Sequence, residues 1–119
     1  MPLTTPIRLS HGVPVKVVDS ATGTGVGLAQ QFVLPDGCSN LLIQGVENAV
    51  TVLTASLEIS LDAGVTFSAF DAAVDYAAAA IAVKRYEGLV GGHPIYRINI
   101  ITFTGTDMDF WVCCYRVTD

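Results

Sequence analysis

Three cysteines, two histidines and a scatter of carboxylates are the residues of this chain suited to covalent or proton-transfer chemistry, and their spacing limits what they can do. Cys113 and Cys114 are adjacent, Cys38 lies in the turn-like Asp36-Gly37-Cys38-Ser39-Asn40, and the histidines are His11 and His93. A thiol nucleophile needs a base and an oxyanion partner in one pocket. Cys113 or Cys114 with His93 has the right side chains, but no motif brings them together. Ser10 before His11 lacks the Gly-x-Ser-x-Gly turn that exposes a serine nucleophile. The cysteines form no CxxC or CxxH pair for a metal, and their odd number is unlike the disulfide framework of a small secreted domain. Neighbours on a strand point to opposite faces, so Cys113 and Cys114 read as small apolar side chains, one in the core and one at a surface or interface.

The carboxylates carry no stronger signal. Asp107 and Asp109 share one strand parity beyond the Thr104–Thr106 turn, while Glu47, Glu58, Asp71 and Asp75 are dispersed. Two acids of like parity can share a cation with carbonyl help, but the oxygen-rich calcium loop is missing, and the pairing a glycosidase needs is not legible. Gly23, Gly25 and Gly27 permit unusual backbone angles, yet no GK[ST] ending follows them, which leaves a turn or mobile contact loop. The expectation is a protein that is not an enzyme, with no catalytic residue, cofactor or metal.

The elements around these residues are strands. Ser56–Phe70 sets Leu57, Ile59 and Leu61 in alternation with Glu58 and Ser60, interrupts at Asp62-Ala63-Gly64, and resumes with Val65, Phe67 and Phe70, which predicts a β-hairpin. In it Asp62 accepts backbone hydrogens across its own turn, Gly64 takes a left-handed conformation, and Thr66 and Phe67 restart the sheet. Val13–Asp19, Leu28–Leu34, Asn40–Gly45, Val50–Ser60, Ile81–Tyr86, Ile95–Phe103 and Met108–Val117 are further strands, separated by Gly and Pro turns such as Pro35-Asp36-Gly37. Alanine-rich 72–80 reads as a short helix or irregular insertion. Pro2 and Pro6 favour an extended arm over residues 1–12, leaving 13–119 as one domain. This is an all-β chain, an antiparallel β-sandwich or jelly roll.

Composition narrows the partners. Of 119 residues, 51% are hydrophobic and only 14% charged, against roughly 25% charged in an ordinary soluble domain. Surface covered by other subunits accounts for such a balance. A net charge of -5 with six scattered Lys and Arg residues offers no footprint for nucleic acid. No apolar run spans a membrane and no signal segment opens the sequence, so the expectation is assembly in a cytoplasm. In Ile95–Phe103 and Met108–Val117 both strand parities are apolar or aromatic, a pattern of sheets covered on both sides.

Ser60-Leu61-Asp62-Ala63-Gly64-Val65-Thr66-Phe67 resembles the Asp-box, a Ser-x-Asp-x-Gly-x-Thr-aromatic hairpin of sialidase propellers and many unrelated β proteins. It carries no catalysis there, and a propeller would need several spaced copies. More broadly, Leu53–Val117 resembles small β-sandwich virion proteins of tailed phages. The matching parts are the Leu57–Phe67 hairpin, an alanine-rich middle over Asp71–Ala82, the Pro94-Ile95-Tyr96-Arg97-Ile98-Asn99-Ile100 strand and the final Asp109–Val117 strand. Ala63 replaces a glycine of that pattern and Phe67 a tryptophan. The resemblance implies a virion structural protein, of capsid decoration, cement or head-fibre type, made in a host cytoplasm. It implies a homo-oligomer, a trimer being the favoured order, that binds the major capsid protein or other virion proteins, with neither nucleic acid nor membrane as partner. Pro2, Pro6, Ile7, Tyr96, Arg97, Phe110, Trp111 and Tyr115 are the expected interface residues. A tail or fibre adaptor is the alternative within that class. A carbohydrate-binding sandwich using Tyr76, Tyr86, Tyr96 or Trp111 as a stacking platform is the alternative outside it.

Overall fold

A computed structural model describes residues 5–27, 29–48, 52–76 and 83–116 of the chain. Its strands are β1 (Ile7–Arg8), β2 (Val15–Ala21), β3 (Phe32–Val33), β4 (Asn40–Asn48), β5 (Val52–Ser60), β6 (Ser68–Ala69), β7 (Val74–Asp75), β8 (Val83–Tyr86), β9 (Ile95–Thr104) and β10 (Asp107–Tyr115), and the described residues contain no helix. The long strands coincide with the Val-, Ile-, Leu- and Thr-rich runs, whose branched side chains suit a pleated surface.

Two sheets face each other across the core. The first has the order β1-β3-β9-β5-β6, with β7 also on β5, and the second has the order β2-β10-β4-β8. All pairings are antiparallel except β1 with β3. The first sheet sends Phe32, Leu53, Leu57, Tyr96 and Ile98 inward, and the second sends Val17, Ile43, Met108, Phe110 and Val112 to meet them in one buried cluster. Close packing at this layer is felt at Gly45, where a β-carbon would lie 3.1 Å from Tyr76 Cβ and 3.3 Å from the Phe110 ring.

Of the two readings of 72–80, a short helix or an irregular insertion, the helical one is corrected. Over residues 72–76 there is no helix: Val74–Asp75 pairs with Thr54 and Ala55 of β5. The backbone N–H groups of Phe70 and Tyr76 donate to Leu57 O and Leu53 O, each at 2.7 Å, and the Tyr76 ring packs edge-on against Phe110 at 5.0 Å. Sheet pairing and burial of one aromatic ring outweigh the helix propensity of the alanines. Residues 77–80 of that expectation lie outside the described residues.

Part of the expected extended arm pairs with the sheet. Ile7 N donates to Gln31 O and Leu9 N to Val33 O, both at 3.0 Å. Leu9 is fully buried. Residues 7–9 are therefore part of the sandwich. The glycine loop is likewise held to the sheet, because Gly25 and Ile100 exchange backbone hydrogen bonds of 2.8 and 3.2 Å.

Candidate functional site

The hairpin turn is built from its own side chains. Ser60 Oγ donates to Asp62 Oδ1 at 2.7 Å, and Thr66 N donates to the same oxygen at 2.8 Å. Gly64 N in turn donates to Ser60 Oγ at 2.9 Å. The Thr66 backbone amide and the Ser60 hydroxyl hold the Asp62 carboxyl below its ordinary pKa. Ala63 and Gly64 both have left-handed backbone, with φ of 62° and 90°. That conformation costs a residue with a β-carbon and is free to glycine. Pairing resumes only at β6, where Ser68 and Ala69 meet Ile59 and Glu58. Val65 is consequently not in a strand, and Leu61 and Val65 stand 80% and 83% exposed on a turn locked by three hydrogen bonds.

Phe67 ties this turn to the outer face of the first sheet. The Arg97 guanidinium lies 3.8 Å from the centre of its ring, within cation–π range. Arg97 Nε also donates to Glu58 Oε1 at 2.7 Å, and Asn99 Nδ2 donates to Glu58 Oε2 at 2.9 Å. The β5–β9 register makes this possible by setting Glu58 opposite Arg97 and Ser56 opposite Asn99. Asp62, Gly64, Thr66, Phe67 and Arg97 thus form one connected region that braces the hairpin against its own sheet.

The outer face of the second sheet is different. Outward positions of β10 carry Trp111, Cys113 and Tyr115, and across the ladder Trp111 lies opposite Gln44 and Cys113 opposite Leu42. On the edge strand, Val83 lies opposite Gln44 and Arg85 opposite Leu42. A groove of about 210 Å³ runs between Pro14, Leu42, Val83, Trp111 and Cys113. Beside Trp111 lies Lys16, its ammonium 5.3 Å from the ring centre and 3.5 and 3.7 Å from Asp19 and Asp109. In an ordinary antiparallel sandwich the outward positions are polar. Here Trp111, Leu42 and Val83 border the groove, with Gln44 between Trp111 and Val83 as its polar member.

The remaining expected interface residues fall elsewhere. Tyr96 and Phe110 are fully buried in the chain's own core and are not surface. The Tyr96 hydroxyl accepts from Val90 N at 3.0 Å and donates to Val90 O at 3.1 Å, which satisfies its polar end inside the fold. Ile7 packs on the core, Pro6 is exposed, and Pro2 lies outside the described residues. Tyr76 and Tyr86 are buried too, with Tyr86 Oη donating to Asp71 Oδ1 at 3.0 Å. The tyrosine stacking platform is thereby lost, since those rings already pack inside. Leu42, Val83, Glu58 and Asn99 were not singled out by the sequence. The outward parity of the strand containing Leu42, set beside that of Trp111, is the signal that finds the apolar face.

Cys114 is buried, its Sγ donating to Ser10 O at 3.4 Å, and burial together with the neighbouring Cys38 thiol pushes its pKa up to about 11. A thiol so protonated is a poor nucleophile near neutral pH. His93 is exposed in its turn. Asp109 is engaged, its Oδ1 accepting from Ser20 N at 2.6 Å and its Oδ2 facing Lys16. Among the described residues no three histidine, cysteine or carboxylate side chains gather as metal ligands, and no helix is long and apolar enough to cross a membrane. A scan against protein-family models, a search of curated proteins and a search of solved structures each gave no match.

Proposed function

We propose that this chain is a non-enzymatic structural protein of a virion, a capsid decoration or cement protein that binds the coat lattice as an oligomer. The observation that carries this reading is the pair of uncovered apolar surfaces on opposite layers. One is the Trp111, Leu42 and Val83 face of the second sheet, and the other is the Leu61 and Val65 tip of the locked turn. A chain that exposes two such surfaces can hold a copy of itself with one and a coat subunit with the other. The tip suits the coat, because its backbone is fixed before contact and little ordering entropy is lost on docking. Each apolar side chain buried there contributes at about 25 cal/mol per Å² of area removed from water, repeated over every lattice position. The low charge and the resemblance of Leu53–Val117 to phage virion proteins support the same reading.

The test compares particles assembled with and without the chain. Bound chain should cover the capsid and raise the temperature at which the particle opens, and Leu61→Ser with Val65→Ser should remove both effects. Equal heat stability with no binding would sink the proposal, and label confined to the tail would replace it with the tail adaptor.

A further inference from the structure

The outer face of the β2-β10-β4-β8 sheet has more order than a general apolar patch. Its cross-strand rows run Lys16, Trp111, Gln44, Val83 and then Cys113, Leu42, Arg85. Among the described residues of this face the charged side chains are Lys16, Asp19, Asp109 and Asp107 toward the start of β10 and Arg85 with Glu87 on the β8 edge. Asp19 and Asp109 with Lys16 leave a negative surplus at the β2 and β10 corner beyond Trp111. Arg85 stands on the β8 edge beyond Leu42, at the diagonally opposite corner, held only weakly by Glu87 at 3.9 Å with both side chains about two-thirds exposed.

We propose that this face pairs with the same face of a second copy of the chain, about a two-fold axis that lies in the plane of the face and sets each acidic corner on the partner's Arg85 corner. An axis along the other diagonal exchanges the two charged corners and crosses the strands of the two copies near a right angle, one of the two established ways for sheets to pack. The contact is isologous, so one set of side chains supplies both halves. Strands about 4.8 Å apart, of seven, nine, nine and four residues rising about 3.4 Å each, project roughly 450 Å² per copy; with side-chain relief the total buried is on the order of 1,000 Å², the lower limit for a specific interface. Trp111 and Leu42 would be its centre and the charged corners its rim, the distribution that specific interfaces favour. A two-fold pair takes the place of the expected trimer. The inference rests on the oligomer part of the reading above and not on the coat.

The experiment uses the purified full chain without particles, so its failure is separate from a failure of coat binding. Sedimentation equilibrium should give a dimer, and alkylation of Cys113 by iodoacetamide should slow as protein concentration rises, Cys38 and Cys114 being buried in either state. Trp111→Glu and Leu42→Glu should each weaken the dimer on the order of thirtyfold while keeping the far-ultraviolet spectrum of the parent. Arg85→Glu should weaken it about tenfold, and adding Asp19→Arg should restore it by exchanging the signs of the two corners. A monomer in the wild type, a trimer, a dimer that survives both glutamate variants, or a charge swap that fails to restore association would overturn the pairing.

Discussion

On the outer face of the first sheet Glu58, Arg97 and Asn99 satisfy one another and Phe67 lies over the guanidinium, whereas on the outer face of the second sheet Trp111, Leu42 and Val83 stand around Gln44 and border a groove. Both faces belong to strands of similar length and similar hydrophobic content. The difference is a hairpin turn. The turn after β5 is long enough to bring an aromatic ring back over its own sheet, so that face is finished from within. Among the described residues of the second sheet, nothing plays the part of Phe67. A face finished from within contributes to the stability of the monomer, while an open one contributes only when something else covers it.

The sharpest way to break this comparison is Arg97→Ala. Glu58 and Arg97 side chains are only 12% and 22% exposed, so removing the cation strands a mostly buried carboxylate. The variant should lose about 2–3 kcal/mol in urea unfolding, below the full cost of breaking a deeply buried pair because the site keeps some solvent. A loss no larger than that of a surface substitution would mean that the two faces do not differ in this way.

A gain is expected next. Ala63 pays for a left-handed backbone at φ 62°, and Ala63→Gly should stabilise the chain by about 0.5–1 kcal/mol, read as a higher urea midpoint with an unchanged slope. The turn also has an acid signature. Because the Asp62 carboxyl is held below its ordinary value of 3.8 in the folded chain, its contribution is complete above that value and is lost as pH falls through the lower folded pKa. Asp62→Asn should flatten this part of the stability profile measured from pH 6 downward to about pH 2.

The smallest effect belongs to the open face. Trp111→Gln should change the unfolding free energy measured at high dilution by less than about 1 kcal/mol, since it loses only a cation–π contact with Lys16 and partial burial. A larger loss would show that the face is already part of the monomer's own packing.

Much of this architecture is legible in the residues. Val50–Ser60, Ile95–Phe103 and Met108–Val117 overlap β5, β9 and β10, whose described ends differ by one or two residues, because branched side chains and flanking glycines fix type and approximate ends. Asp62, Gly64 and Thr66 sit in a short motif whose hydrogen bonds are local, and local chemistry can be read without knowing the fold. Orientation is another matter. In Ile95–Phe103 either parity can be the core face, since Tyr96, Ile98 and Ile100 compete with Ile95 and Ile101. Only the opposite sheet decides, by placing Tyr96 against Phe32 with ring centres 6.0 Å apart. The same ambiguity put Phe110 beside Trp111 as an interface residue when one points in and the other out. Short strands are hidden for a related reason. Ile7–Arg8 and Val74–Asp75 are strands because distant β3 and β5 offer partners, and two residues carry no period of their own.

The order in which the chain visits its two sheets has a consequence for how it comes to be folded. From β1 through β5 every successive strand crosses to the other layer, and β8, β9 and β10 do so again. Neither layer can close before segments from both ends of the sequence have met: β2, which also bridges Ala29 through Val18, has β10 as its strand neighbour. Early pieces therefore gain little until the loop-closure entropy of the whole chain has been met, which makes folding slow and all-or-none. A nick or truncation in either half should cost both layers together, and unfolding followed by tryptophan fluorescence and by far-ultraviolet circular dichroism should give coincident curves.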